Sequence, residues 1–338
     1  MRVAQVSFRL GGVDGVSIEA AKWAGALSAL GHEVVTVAGE GPVDRRLGGL
    51  AIGADSPPHA EELEDALRDA DLVIVENLLS LPLNPGAADV CAAVLRDRPA
   101  ILHHHDLAWQ RAHLAHFDDV PDDPHWRHVT INERSALELE QRGITATTIY
   151  NAFDCDPPVG DRRATREVLF VHDEPLVLFP SRAIARKNVA GALRLAGKLD
   201  AVLWLLGPPE DGYDDELASL LDSSPVEVRR GPVGSIHDAY AACDLVVLPS
   251  TWEGFGNATI ESVTHRKPLA VYPYPVLAEL RARGLSFFDL EDLEGIAACL
   301  EHPDVARVEH NLAVARAHFN LADLPGRLAT LLGDAVGH

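Results

Sequence analysis

A chain of 338 residues, 47% of them apolar, exceeds what one hydrophobic core fills and predicts two domains of roughly 150 residues each. A net charge of -22 excludes nucleic acid as the expected partner, because phosphate backbones are held by clustered Lys and Arg. No apolar run approaches the ~20 residues that span a bilayer, and MRVAQVSFRLGG has no leader pattern, so the expected compartment is the cytoplasm.

The first elements are a strand over RVAQVSF, a loop over GGVDGVS, an amphipathic helix over IEAAKWAGALSALG and a strand over HEVVTVAG. This βαβ order implies a parallel sheet with helices on its faces. A helix, an acidic junction and a buried strand follow in EELEDALRDADLVIVEN, and PAILHHHD is a further strand with a polar tip. The periodicity breaks within residues 151 to 165, in YNAFDCDPPVGDRRA. It restarts with PLVLFPS, a helix from about Val189, and strands in AVLWLLG, VEVRRG and AYAACDLVVLPS. The expected division is an N-terminal domain over 1–155, a second domain over 156–320, and a C-terminal helix over 321–338 that packs back on the first. Cys91, Cys155, Cys243 and Cys299 form no Cys-x-x-Cys pair and read as buried thiols in a reducing cell. Only Lys22, Lys187, Lys198 and Lys267 are lysines among 29 basic residues, which makes each one informative.

Ligands of open parallel sheets bind beyond the carboxyl ends of the strands, so the junctions after strands are the places to search. In LGGVDG, Gly11 and Gly12 suit either a close backbone approach to an anion or a simple tight turn, and the spacing misses the dinucleotide fingerprint. In HHHD, adjacent strand residues face opposite ways, so His103 to His105 do not converge on one metal without a bulge. His105 at the tip reads as a ligand-binding group or a structural cap. FDDVPDDPHW, despite its aspartates, reads as a solvated loop.

Arg182, Arg186 and Lys187 in SRAIARKN suit the two phosphates of a diphosphate, the alternative being a solvated basic loop. In WEGFGNATIE, Gly254 and Gly256 free a turn, Asn257 is the expected helix cap, and Glu253 and Glu261 stand eight positions apart. Eight helical residues span about 12 Å at ~1.5 Å each, which favours two acids gripping different parts of one elongated ligand over two acids flanking one bond. Carboxylates accept hydrogen bonds from sugar and ribose hydroxyls, and backbone N–H groups around Phe255, Gly256 and Asn257 suit an anion between them. The combination describes a sugar, a diphosphate and a ribose.

EGFGNATIE, Glu253 to Glu261, resembles the Glu-x7-Glu motif of the retaining glycosyltransferases of family 4, the glycosyl transferases group 1. Arg182 and Lys187, the Gly11-Gly12 loop, GHEV at Gly31 to Val34 and YNAFD at Tyr150 to Asp154 follow in the order of that family. The resemblance implies an α/β GT-B fold, two Rossmann-like domains with parallel sheets facing across a cleft. It implies that Arg182 and Lys187 hold the donor diphosphate, that Glu261 holds the ribose, and that Glu253 with the backbone of Gly254 to Asn257 holds the transferred sugar. By the same carry-over His105 contacts the sugar and Gly12 lies near the phosphates. Glu253, His105, Arg182 and Lys187 are the expected catalytic set. Retention is expected through a front-face path, with no metal or other cofactor.

Asp14, Trp109 and Gln110 are placed by position alone where an acceptor would lie. SVTHRKP after Glu261, with His265, Arg266 and Lys267, departs from the small residues usual there, and Asn188 replaces a common glycine. The activity implied is hexosyl transfer from a GDP-mannose or UDP-glucose type donor to a small hydroxylated acceptor. The alternatives are a non-catalytic nucleotide-sugar binder and a nucleotide-sugar epimerase of the same architecture.

Overall fold

The structure, a computed structural model, describes residues 1–336. The chain folds into two compact units, residues 1–152 together with the chain from Leu321 onward, and Phe153–Asn320.

The first unit opens with β1 (Arg2–Arg9), α1 (Gly15–Ala29), β2 (Glu33–Glu40), the two-residue β3 (Arg45–Arg46), α2 (Ala60–Leu67) and β4 (Leu72–Glu76). It continues with α3 (Pro85–Val94), β5 (Ala100–His104), β6 (Trp126–Thr130), α4 (Glu133–Glu140) and β7 (Ala146–Thr148). All seven strands run parallel in the order β3-β2-β1-β4-β5-β6-β7. The inner strands are apolar along most of their length because helices cover both faces of such a sheet. One face packs Val6, Val37, Val73, Val75 and Leu102 against Leu63 and Leu67 of α2 and Cys91 of α3. The other packs Val3, Ile74, Ile101 and Val129 against Trp23 and Leu27 of α1. Leu324, Leu328, Leu331 and Leu332 of the C-terminal helix join this second face, so the chain end belongs to the first core. Residues 337–338, the last two of the expected C-terminal helical segment, lie outside the described residues.

α1 begins at Gly15, earlier than the loop reading of GGVDGVS allows, because Asp14 caps it. The Asp14 carboxylate accepts from Ser17 N at 3.1 Å and from Ser17 Oγ at 2.8 Å, satisfying a helix-end donor that would otherwise be orphaned. The loop over FDDVPDDPHW is not wholly solvated either. Asp123 is buried there and accepts from His125 N, while Asp122 meets the buried His128 at 3.1 Å.

The second unit contains α5 (Arg162–Leu169), β8 (Leu176–Phe179), α6 (Val189–Lys198), β9 (Val202–Leu205), α7 (Asp214–Asp222) and β10 (Val228–Arg230). It continues with α8 (Ile236–Ala242), β11 (Leu245–Leu248), α9 (Asn257–Thr264), β12 (Leu269–Val271), α10 (Leu277–Ala282), β13 (Phe288–Asp289), α11 (Leu293–Glu301) and α12 (Val305–His318). The last helix, α13 (Leu324–Val336), returns to the first unit. The six strands are parallel in the order β10-β9-β8-β11-β12-β13.

Each sheet therefore has a switch point where neighbours are not consecutive, β1 beside β4 in the first unit and β8 beside β11 in the second. Connections leave such a pair in opposite directions and open a crevice at its carboxyl end. Cys91, Cys155 and Cys243 are buried thiols as expected, and burial pushes Cys91 and Cys243 up to about 12. Cys299 is only half-buried.

Candidate active site

At the switch point of the second sheet, the loop after β8 meets the loop after β11. Three contacts stitch them: Asn188 Nδ2 donates to Pro249 O at 3.2 Å, Thr251 N to Arg186 O at 3.0 Å, and Arg186 Nη1 to Trp252 O at 3.0 Å. Asn188 stands at φ 55°, ψ 57°, which explains the departure from glycine, since asparagine is among the few residues that enter the left-handed region readily. Its side chain also caps α6 by accepting from Gly191 N.

This stitching brings Lys187 and Arg186 onto Glu253. Lys187 Nζ lies 2.5 Å from Glu253 Oε1 and Arg186 Nη1 3.3 Å from Oε2, with Glu253 only 6% exposed. Burial pushes the Glu253 carboxyl up, but Lys187 and Arg186 outweigh it and hold the group below its usual value. Burial draws the Lys187 ammonium down, with Glu253 opposing. The result is a buried carboxylate whose charge depends on two neighbouring cations. Arg182 is not part of that cluster. It pairs with Glu210 in the loop after β9. Gly207 lets the two loops approach, because a Cβ there would fall 2.7 Å from Arg182 N and Cα.

The turn between Glu253 and α9 is set by packing. Phe255 is buried against Phe153 and Phe319, with centroids 6.1 and 5.9 Å away, and its carbonyl accepts from Tyr274 Oη at 3.1 Å. Asn257 is not the helix cap expected from its residue type. It is the first residue of α9, and the cap position falls on Gly256 at φ 88°, where a Cβ would collide with Tyr274 Oη. Asn257 is displaced from the cap because the fold needs left-handed backbone at the residue before it.

Glu261, one turn into α9, engages a different set of groups. Tyr240 Oη donates to its Oε2 at 2.9 Å. His265, one of the departures from the family pattern, meets the Glu261 carbonyl through Nδ1 at 2.7 Å and stacks on Tyr240 at 4.3 Å. His237 Nδ1 meets His265 Nε2 at 2.9 Å. Glu253 and Glu261 are therefore held by separate partners. Gly254 lies between Glu253 and Phe255 in the same turn.

In the first unit, Gly11 and Gly12 lie between β1 and the Asp14 cap, and Arg9 pairs with Asp14 at 3.2 Å. Asp14 is thus spent on the helix end and on Arg9. Trp109 and Gln110 both donate to Glu138, at 2.8 and 2.9 Å, and Arg142 lies over the Trp109 ring. They form a tied rim on the loop after β5.

The three histidines split by face as strand alternation requires. His104 points to His128, Nε2 to Nδ1 2.9 Å. His103 and His105 lie on the opposite side and both reach Glu76, the last residue of β4. Glu76 Oε2 is 2.8 Å from His103 Nδ1 and 2.8 Å from His105 Nε2. Those are hydrogen-bond lengths, shorter than the separation of two ligands on one tetrahedral zinc with bonds of about 2.0–2.2 Å. Asn77 Oδ1 accepts from His105 N and Asp106 N, fixing the turn.

Glu210, Tyr240, Tyr274 and Glu76 were not among the candidates drawn from the sequence, and Arg186 entered only as a phosphate ligand, with nothing to mark it as a partner of Glu253. Glu76 carried one usable signal, a carboxylate ending the apolar strand LVIVE. Tyr240 and Tyr274 carried none, since each looks like an ordinary core aromatic.

Residues 161–288 match the family model described as glycosyl transferases group 1. A mannosylglucosylglycerate synthase of Thermotoga maritima is 27% identical over 420 aligned positions that take in 96% of this chain and 98% of that protein. A protein of the same description from Petrotoga mobilis is 24% identical over 82% of this chain and 83% of its own. Among solved structures, Anabaena HepE in complex with UDP-glucose superposes with a TM-score of 0.74 at 21% identity, over 99% of this chain and 100% of that one. No helix among the described residues is long and apolar enough to cross a membrane. The match to glycosyl transferases group 1 thus falls on the second unit, and the chain carries two Rossmann-like parallel sheets, the GT-B architecture of the solved structures it resembles.

Proposed function

We propose that this glycosyltransferase moves a hexose, with retention, from a nucleoside diphosphate sugar to a hydroxyl of a small polyhydroxylated acceptor. The observation that carries the reading is the buried Glu253 carboxylate held by Lys187 and Arg186 at the switch point of the second sheet. Glu253 neutralises Lys187 and Arg186. When a diphosphate enters, its oxygens take over Lys187 and Arg182, and Glu253 becomes available to accept hydrogen bonds from the hexose hydroxyls. Glu261, oriented by Tyr240, takes the ribose hydroxyls.

The leaving diphosphate then gains negative charge as the glycosidic bond breaks. Lys187 and Arg182 stabilise that charge, and the phosphate oxygen draws the proton from the acceptor hydroxyl on the same face of the sugar. This reading needs no metal or other cofactor. The two relatives named for mannosylglucosylglycerate synthesis match over most of their length and support mannose as the hexose and a small glycosylated acid as the acceptor. HepE bound to UDP-glucose makes a glucosyl donor the second trial. The cytoplasm is the compartment consistent with such a donor.

The test supplies GDP-mannose or UDP-glucose with small hydroxylated acceptors and measures glycoside formation and anomeric configuration. Transfer is expected from one of these donors, lost in Glu253→Ala and in Lys187→Ala with both variants still folded. Undiminished turnover in both variants, or an inverted product, overturns the reading.

A further inference from the structure

The second unit carries three cations on one short stretch, Arg182, Arg186 and Lys187, in the loop after β8. Two acids face them, Glu253 on Lys187 and Arg186, and Glu210 on Arg182. Three positive charges against two negative ones leave an excess of one, in a chain whose net charge is -22. Burial draws the Lys187 ammonium down and Glu253 opposes it, while Arg186 and then Arg182 draw it further down, so both guanidinium groups lie within electrostatic range of Lys187. A cationic cluster of this kind, at the switch point of a parallel sheet, is suited to an anion.

The two acids are held differently. Lys187 and Glu253 are buried together, their side chains 11% and 8% exposed. Arg182 and Glu210 stand more in the open, at 35% and 39%. Breaking a buried pair strands a bare charge, whereas a half-exposed pair is screened by water and changes partners readily. Arg182 is therefore the cation most easily given over to a ligand, and Glu210 the acid most easily displaced.

The backbone keeps Glu210 in place even so. Beyond the ends of β8 and β9 the two loops stay joined by a parallel bridge between Ala183 and Pro209. Ala183 N donates to Pro208 O at 2.9 Å, and Glu210 N donates to Ala183 O at 3.1 Å. Pro208 and Pro209 enter this bridge with φ fixed by their rings. Asp211 at φ 57° and Gly212 at φ 74° turn the chain after it, and Tyr213 N closes the turn on Glu210 O at 3.2 Å. The stretch GPPEDG, Gly207 to Gly212, thus anchors the Glu210 backbone beside Arg182. A carboxylate that loses the guanidinium swings on its own side chain and stays within reach.

Resting on the nucleoside diphosphate reading above, we propose that Glu210 is a tethered competitor for Arg182: it yields the guanidinium to the donor diphosphate and retakes it as the nucleoside diphosphate leaves, which speeds product release.

The contact itself supports competition. Glu210 Oε2 accepts from Nη1, a terminal nitrogen of Arg182. Phosphates grip a guanidinium through two parallel N–H groups, and Glu210 interrupts the terminal pair. A group tethered by a short link acts at an effective concentration of about millimolar, so it contests the guanidinium throughout the residence of the ligand. Where release limits turnover, such a competitor raises kcat at the expense of affinity.

The experiment uses UDP and GDP as probes on the wild type, Glu210→Gln, Arg182→Gln and the double variant. Titration calorimetry reads Kd and surface plasmon resonance reads koff, both at low ionic strength, where exposed charges count most. Glu210→Gln keeps the length of the side chain and removes its charge. It is expected to tighten Kd about 2- to 5-fold for the diphosphate that the wild type binds, the range of a half-exposed ion pair, mostly through a slower koff. In the Arg182→Gln background the same change should tighten Kd by less than about 1.5-fold, because no guanidinium remains to be contested.

An unchanged or weaker Kd in Glu210→Gln overturns the competition, the weaker one making Glu210 a support of Arg182 instead. Equal tightening in both backgrounds overturns it too, since the acid then acts by its field alone and not through Arg182. Either result leaves the transferase reading standing. A wild type that binds neither UDP nor GDP overturns that reading and this role with it.

Discussion

Replacing Lys187 with methionine removes a charge while keeping most of the stem volume, and leaves Glu253 buried beside Arg186 alone. Breaking a buried ion pair by deleting one partner costs about 3–5 kcal/mol, because the remaining charge stays uncompensated. Arg186 still stands 3.3 Å from the other carboxylate oxygen and is itself part-exposed, which brings the cost to or below the bottom of that range, about 2–3 kcal/mol. For a unit of this size each kcal/mol moves the melting midpoint by about 2–4 °C, giving an expected drop of about 4–12 °C in the ligand-free protein. The assay is calorimetry of wild type, Lys187→Met, Glu253→Gln and the double variant. The double variant removes both charges at once and should lose less than the two single losses together, with a coupling of about 1.5–3 kcal/mol. Adding a nucleoside diphosphate separates the roles further. It should stabilise the wild type by mass action and Lys187→Met much less. A single-variant shift under about 2 °C, or strictly additive losses, would refute the claim that Glu253 owes its buried charge to Lys187.

Tyr240→Phe removes the donor at 2.9 Å from Glu261 Oε2 and leaves the ring stacked on His265, so affinity for a nucleoside diphosphate should fall about 10- to 100-fold with kcat changed little. Titration calorimetry reads this directly, and an unchanged affinity removes Tyr240 from the ribose grip. Acid stability follows from Glu76 and Glu253, both held below the ordinary 4.5, Glu76 at about 2. A depressed carboxyl contributes stability that is complete above its unfolded value and is lost as pH falls through the folded one, so melting should decline steeply between about pH 4.5 and 2. Glu76→Gln should flatten that decline, and a variant with the same acid slope as the wild type would contradict the assignment. His105 carries the opposite sign, its contribution fading as pH rises through its raised value.

Much of this architecture was legible because it is written in local patterns. Short apolar runs such as LVIVE and LVVL are strands of fully buried parallel sheets, and the helices between them carry their own end signals. The loops that bear Lys187 and Glu253 were visible as junctions after strands, and the opposed faces of His104 and of His103 with His105 followed from a two-residue period. Asn257 shows where local chemistry failed. Its side chain is a good cap in isolation, but the tight packing of Phe255 and Tyr274 puts Gly256 at the cap position. Asp14 shows the converse, a helix cap inside the stretch GGVDGVS that local reading took as loop.

What the sequence by itself determined is the kind of element at each position and the residue types delivered to the strand ends, because periodicity, capping and turn preferences act over a few residues. Which of those residues meet was decided only by tertiary structure. Strand order puts β8 beside β11 and so Lys187 on Glu253, while Arg182, in the same basic loop, goes to Glu210 instead. The β4–β5 register puts Glu76 under His103 and His105, and helix packing sets Tyr240 against Glu261. Order and register are chosen by the burial of whole strands against whole helices, a sum over residues far apart in the chain, and no short stretch of sequence records that sum.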